Sequence, residues 1–481
     1  MPRLAPSFRD PAGCCLIFNE RVLRFVSVDA LPEFEKFLQT DFSKKFVAEE
    51  KLIPSRRLGE KEVALLRESP ELKSIFVAQP VGAVFEHEKI PFQSYPHEWP
   101  AEMLWTAASL TLEIAEAAFK EGFCLKDATP NNILFRGSQP VFVDALSFER
   151  RNERDPIWKP ATQFIRTFLL PLLANRKWNL QPAEIFSTRR DGIAPEEIYS
   201  WCGALERLSP QMLSLVTIPS WLSSKANPDD QKIYAPQLMD NIEKAQFIFE
   251  SGLRRLKKNL NSLKPQTAKS TWSDYMTTHS YDDPAFAAKE KFVREALLEF
   301  KPKRVLDSGA NTGHFSVLAT QGGAKVVAID LDAACVGKIF EMAREKKMDI
   351  LPMVINLARP SAGLGWRNAE FPSFLDRAIG KFDSVLMLAL IHHLLVTERI
   401  PLEEILRLAS ELTNQLLVIE FVSPEDAMFR RLTRGREQLH ASLNEEVFER
   451  VCGNFFEIVR SVPLPNSKRR MYCLKRKAVE N

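Results

Sequence analysis

The sequence has no apolar run long enough to cross a membrane. The nearest candidate, residues 164–174, is broken by Arg166 and Pro171, whereas a spanning helix needs about 20 consecutive apolar residues. A signal-peptide core is missing too, because Arg3, Arg9 and Asp10 interrupt the opening stretch. Cysteine is scarce: seven in 481 residues, an odd number without metal-type spacing. That excludes a disulfide framework, argues against a structural zinc site and fits a reducing, cytoplasmic setting. The adjacent Cys14 and Cys15 lie in an apolar stretch and read as packing residues. Net charge is nearly absent as well. Lys plus Arg number 65 against 62 Asp plus Glu, leaving +3, so no whole-molecule field draws the chain to nucleic acid or an anionic membrane. The arginines at 430, 431, 434 and 436 read as a solvated helix face, and the clusters Lys468-Arg469-Arg470 and Lys475-Arg476-Lys477 are too short to imply RNA.

A hydrophobic content of 45% with 26% charged residues describes a globular protein, and the length suits two or three domains. The most informative stretch is Val305-Leu306-Asp307-Ser308-Gly309-Ala310-Asn311-Thr312-Gly313, followed by Val326-Val327-Ala328-Ile329-Asp330. An apolar strand runs into a glycine-bearing turn and a helix, and a second apolar strand ends on an acid. The glycines admit backbone conformations and close approaches that a Cβ forbids. The new helix presents unpaired N–H groups, and a carboxylate at Asp330 suits the hydroxyls of a ribose. A dinucleotide fingerprint would be G-x-G-x-x-G. Here Asn311 and His314 stand where the second and third glycines would be, so Asp-x-Gly-x-x-x-Gly describes the turn better.

Strands and helices alternate from Lys303 onward, which predicts a doubly wound sheet. Strands are expected at 304–308, 325–330, 350–355, 382–390 and 415–422, with a closing hairpin from 456–462 and 470–474. A helix is expected from about Pro284 to Phe300. The aromatic and polar segment 272–283 precedes it as a candidate cover for the site.

These features resemble motif I and the seven-stranded arrangement of class I S-adenosylmethionine-dependent methyltransferases over roughly residues 270–477. The resemblance implies S-adenosylmethionine as cofactor, held by Asp307, Gly309, Asn311, Gly313 and Asp330. It implies further contacts from Asn356 after the third strand and from Leu388 and Ala389 after the fourth. His392 and His393 follow in the loop that faces the methyl group in this fold. A neutral imidazole accepts a proton near neutral pH, which favours an oxygen acceptor on a small molecule. Glu420, ending the fifth strand on the same rim, is a third catalytic candidate. A metal site at the two histidines is not expected, because adjacent residues leaving a strand point apart. The competing readings are a binding scaffold and an NAD-dependent oxidoreductase.

Ahead of this domain, residues 14–18 and 22–28 read as a hairpin, 31–38 as a short helix and 75–85 as an extended patch containing Gly82. Residues 1–100 form a small mixed α/β region, with Pro91, Pro96 and Pro100 in its closing loop. Leu104, Ala108, Leu112, Ala115 and Phe119 predict a helix over 101–121, ended by Gly122. It opens a mainly helical region to 265, and a polar linker follows at 264–269. Asp127, Asn132 and Asp144, the last in Pro140-Val141-Phe142-Val143-Asp144, resemble the catalytic loop and metal-binding strand of the protein-kinase-like fold. Leu125-Lys126 replaces the expected His-Arg pair and Ala145-Leu146 the expected Phe-Gly. Neither a glycine-rich phosphate loop nor a strand with the phosphate lysine is recognisable upstream. The resemblance therefore implies a kinase-like fold without ordinary phosphoryl transfer. Residues 365–368, 388–394, 400–402 and 419–426 resemble a narrower group, the bacterial methyltransferase-like proteins related to the host-specific nodulation protein NoeA, which combine a kinase-like N-terminal part with a C-terminal methyltransferase domain.

Overall fold

The computed structural model describes residues 3–4, 10–78, 80–225, 238–266 and 283–478. The chain divides into two compact units. Met1–Gln266 with Gly363–Phe371 make the first, and Thr267–Ala362 with Pro372–Asn481 make the second.

The first unit contains a five-stranded antiparallel sheet of β1 (Arg3–Leu4), β2 (Gly13–Phe18), β3 (Arg21–Ser27), β4 (Ser55–Arg57) and β5 (Val81–His87), in the order β1-β2-β3-β5-β4. Alternation decides which side chains go where. Leu16, Leu23, Phe25 and Val84 enter one core with Leu58, Leu66 and Leu72. Cys15, Ile17, Val22 and Arg24, on the opposite face, line a cavity. The extended patch expected at 75–85 is half helix. Lys73–Ala78 coils, and only Val81–His87 extends. Ile75 and Phe76 pack on the apolar core from that helix, so packing overrides their β-branched and aromatic preference.

The predicted long helix is Ala101–Lys120, and its stripe of Leu104, Ala108, Leu112 and Ala115 is buried. Behind it come two short hairpin-like pairs. Strand β6 (Phe123–Leu125) pairs with β9 (Phe148–Arg150), and β7 (Ile133–Arg136) pairs with β8 (Gln139–Phe142). Helices fill most of residues 161–225, and the amphipathic helix Ile242–Ser262 follows among the described residues.

The second unit is a seven-stranded sheet, as expected. Its strands are β10 (Arg304–Ser308), β11 (Lys325–Asp330), β12 (Ile350–Val354), β13 (Phe382–Met387), β14 (Thr413–Val422), β15 (Phe456–Pro463) and β16 (Arg469–Arg476). Their order is β12-β11-β10-β13-β14-β16-β15. The first five are parallel, and β16 is antiparallel to both neighbours. The near-continuous apolar runs of β10, β11 and β13 follow from burial on both faces, with Asp283–Phe300 and Ala333–Glu345 among the helices of this unit. Strand order reverses between β10 and β13, so the carboxyl end of β10 opens a crevice at the topological switch point.

The fourth strand ends three residues before the position expected. Ala389 takes a positive φ of 51°, and the chain then winds into a wide π-helical turn, His393–Thr397. The segment expected at 272–283 as a cover lies outside the described residues up to 282, and so does the end of the linker from 267. Among the described residues no helix is long and apolar enough to cross a membrane, and all seven cysteines are free.

Candidate functional site

The turn after β10 is built from three left-handed residues, Gly309 (φ +74°), Asn311 (φ 49°) and Gly313 (φ +84°). The N–H groups of Gly309 and Ala310 both donate to the Ile329 carbonyl, at 2.9 and 3.0 Å, tying the turn to the end of β11. The two glycines serve different ends. At Gly309 the backbone conformation is the constraint. At Gly313 a Cβ would also lie 3.0 Å from Ile339 Cγ1, so this glycine lets the helix His314–Gln321 pack closely against Ala333–Glu345.

Asp330 is the hinge of the site. One carboxylate oxygen accepts from Asn311 N and the other from Asp332 N, both at 2.9 Å. The half-buried side chain stays reachable at the strand end, while burial pushes its carboxyl above the usual range. Each oxygen keeps lone-pair capacity for a hydroxyl donor, so the donor set fits the ribose of an adenosyl group. Asp307 is deeper. Its Oδ2 accepts from Ser316 Oγ at 2.6 Å, and burial lifts its carboxyl to about 6, with neighbouring Asp330 adding to the rise.

The remaining candidates divide. Asn356 caps its own turn, its Oδ1 accepting from Ala358 N at 2.9 Å, which leaves its amide N–H₂ as the group available to a base. The Leu388 side chain belongs to the apolar core, so only its backbone and that of Ala389 are available to a cofactor. His392 and His393 do not point apart. Their rings lie 4.3 Å between centroids, because they start a helical turn instead of leaving an extended strand. His392 is buried, with no hydrogen-bond partner for Nδ1 among the described residues. Burial, then His393 and the Arg469 guanidinium, hold the His392 imidazole well below its usual range. Burial and Arg469 also lower His393. Both rings are therefore neutral at physiological pH. No group of three or more metal-ligating side chains occurs among the described residues.

Glu420 is fully buried at the centre of an ionic network that sequence reasoning missed. Lys289 Nζ donates to Glu420 Oε2 at 2.6 Å, and Arg469 Nη1 donates to Oε1 at 3.3 Å. Arg469 also grips Asp426 through Nε at 2.9 Å and Nη2 at 3.2 Å. Arg469 is thus no solvated base. It leads β16 with its side chain inward, on the face of Met471 and Cys473. The sequence did carry a signal for Lys289. It interrupts a stripe of Ala285, Phe292, Val293 and Ala296 on the helix Asp283–Phe300, and all five side chains are buried. Burial pulls the Lys289 ammonium down while the Glu420 carboxylate supports it.

In the first unit Asp127, Asn132 and Asp144 line one cavity of about 760 Å³. Asn132 Nδ2 donates to the Asp127 carbonyl at 3.4 Å, and Asp144 faces Arg24, Nη1 to Oδ1, at 3.2 Å.

A family model described as a methyltransferase domain matches residues 281–454. Over 479 residues the chain is 28% identical to the nodulation protein NoeA of Rhizobium meliloti (strain 1021), covering 98% of this chain and 96% of that one. Among solved structures, magnesium protoporphyrin IX methyltransferase from Synechocystis PCC 6803 with bound SAH is 21% identical, with a TM-score of 0.29 over 40% of this chain and 84% of its own. The N-methyltransferase NodS from Bradyrhizobium japonicum WM9 is 14% identical, with a TM-score of 0.30 over 41% and 99%.

Proposed function

We propose, from the premise that this chain is an S-adenosylmethionine-dependent methyltransferase related over its length to NoeA, that it delivers the methyl group to an oxygen of a small-molecule acceptor. The observation that carries the reading is Asp330, a carboxylate fixed by two backbone N–H groups beside a left-handed glycine turn at the switch point. When bound, the cofactor supplies a sulfonium-activated methyl group. The chain's own work is then binding, alignment and proton handling. Asp330 accepts from ribose hydroxyls, the Asn356 amide meets the adenine edge, and the backbone at Gly309, Asn311, Gly313, Leu388 and Ala389 shapes the remainder. Asp307 supports the turn from below through Ser316.

On the acceptor side, a neutral imidazole of the His392–His393 pair takes a hydrogen bond from a hydroxyl and weakens its O–H bond. Glu420 acts through position instead of proton transfer, because both its oxygens are engaged by Lys289 and Arg469. The two cations discourage an imidazolium at His392, which keeps the ring a hydrogen-bond acceptor across the neutral range. The first unit belongs, on this reading, to the kinase-like fold without its phosphoryl-transfer machinery. The convergence of Asp127, Asn132 and Asp144 on one cavity supports that ancestry.

Calorimetry with S-adenosylhomocysteine, followed by transfer of labelled methyl to fractionated small-molecule extract, tests the proposal. Binding of S-adenosylhomocysteine with label in a hydroxylated product is expected. Tight NAD binding without a response to S-adenosylhomocysteine would replace it with an oxidoreductase, and cofactor binding with no transfer to any fraction would leave a scaffold.

A further inference from the structure

The chemistry of the first unit's cavity differs from what the kinase-like resemblance implies. Its volume of about 760 Å³ lies within the range of small-molecule sites. Its lining combines an aliphatic group, Ile53, Ile90, Leu134 and Val143 packed together and Ile17 paired across strands with Val22, with polar side chains. A divalent cation shared by Asp144 and Asn132 does not fit among them. The position facing Asp144 is taken by Arg24, whose side chain is 4% exposed and whose Nη1 is 3.2 Å from Oδ1. Arg24 is fixed there, its Nε donating to His87 Nε2 at 2.9 Å, and His87 is held neutral by burial, at about 3. The guanidinium therefore cannot swing away without stranding a buried charge.

The charge balance points the same way. Among the described residues every cation lining the cavity already faces a carboxylate. Arg24 faces Asp144, Lys126 faces Asp10 at 3.7 Å, and Arg190 faces Glu370 at 2.7 Å. Asp127 and Asp191 also line the cavity and have no cationic partner there. A phosphate entering this space would meet two uncompensated carboxylates and no free cation. Hydroxyl and amino groups would meet acceptors, since carboxylates accept and Asn131 offers an amide beside them. Although Arg24 Nη1 and Asp144 Oδ1 are within ion-pair distance, neither completes a well-aligned hydrogen bond. Both atoms are buried against each other, which leaves no room for a metal ion between them.

We infer that this cavity is a metal-independent binding site for a phosphate-free ligand that joins an apolar ring to a hydroxylated or amino-bearing arm, the chemistry of a nucleoside. The aliphatic group takes the ring, the carboxylates and the amide take the arm, and the Arg24 guanidinium does at Asp144 what a metal ion would otherwise do. Phosphoryl transfer is not supported at such a site, because no group is free to hold the transferred charge.

The test uses the full chain with excess S-adenosylhomocysteine present, so that the second unit does not contribute. Binding of adenosine, AMP and ATP is measured by calorimetry, each in Mg²⁺ and in EDTA. Adenosine is expected to bind equally in both, and AMP about threefold to tenfold more weakly, the size of one or two poorly screened charge repulsions. Asp127→Asn removes an exposed carboxylate, so folding is preserved, and should close that gap by about threefold. Arg24→Ala should create a Mg²⁺ dependence of ATP binding that the parent lacks. Failure of adenosine to bind, or ATP binding in the parent that improves tenfold or more with Mg²⁺, overturns the inference. An AMP-to-adenosine ratio unmoved by Asp127→Asn overturns its location.

Discussion

Replacing Asp330 by alanine separates a cofactor carboxylate from a structural one. The side chain has one task in the fold and, on the proposed reading, a second toward the cofactor. It accepts from Asn311 N and Asp332 N at 2.9 Å each, and it stands ready for hydroxyl donors. Removing it strands those two N–H groups, at a cost of about 1–3 kcal/mol apiece where they stay dry, and it deletes charge-assisted bonds to the ligand worth about 1.5–3 kcal/mol. Water entering the space at the strand end will offset part of the first loss, so urea denaturation should report about 2 kcal/mol. Loss of the ligand bonds should weaken S-adenosylhomocysteine binding by about tenfold to a hundredfold. Asp330→Asn is the control. It keeps one acceptor for one backbone N–H but turns an amide toward the other, so its stability should lie between the two while its ligand affinity resembles that of alanine. An alanine variant that is folded and binds S-adenosylhomocysteine within twofold of the parent would refute the assignment of Asp330 to the ribose.

Three further outcomes follow from the second unit. Asp307, lifted to about 6 by burial, binds its proton more tightly folded than unfolded. In the ligand-free protein its contribution to stability therefore falls as pH rises from about 4 through 6, by roughly 3 kcal/mol in all. Asp307→Asn should flatten that part of the curve in denaturation series at pH 4.5 to 7.5, and an unchanged slope would show that Asp307 is not its source. Lys289→Met removes one cation from fully buried Glu420 and should cost about 3 kcal/mol, while Lys289→Arg should recover less than half because the pocket is shaped for an ammonium. Thermal melts measure both, and a neutral methionine variant would dismiss the network as a stabilising feature. Gly313→Ala forces a Cβ to within 3.0 Å of Ile339 Cγ1 at φ +84°, and should cost about 1–2 kcal/mol. In an Ile339→Ala background, which removes both nearby Cγ atoms, the added cost of Gly313→Ala should shrink to the part due to backbone conformation, as thermal melts of the four variants would show.

Much of the second unit is legible in the sequence because parallel strands buried on both faces write themselves as apolar runs, and the turn after β10 needs its glycines. Asp330 was readable for the same reason, as an acid closing such a run. The ionic network was not. Lys289 and Arg469 come together only through the placement of one helix and one late strand, and a base at position 469 between Lys468 and Arg470 looks solvated until strand alternation turns it inward. The histidine pair was visible as residues but not as geometry. The closeness of the two rings depends on the left-handed Ala389, where the chain leaves a strand that ends three residues earlier than the apolar run suggests. In the first unit Lys73–Ala78 misled because its β-branched and aromatic residues suit a strand in isolation, while their packing on the core is satisfied by a helix.

The assignment of Gly363–Phe371 to the first unit bears on how the chain is made. Glu370, almost fully buried, is paired with Arg190, and Phe371 packs edge-on against Tyr95 at 5.2 Å. On the ribosome, where domains fold as units from the N-terminus, the first unit stays one segment short until residue 371 has emerged, after β10, β11 and β12 are already synthesised. A fragment cut at 266 would lack that closing piece, and a fragment begun at 267 would carry it with Glu370 deprived of its guanidinium. Expression of either half alone should therefore yield a less soluble product than the whole chain, and limited proteolysis of nascent chains should find the first unit protected only once translation has passed position 371.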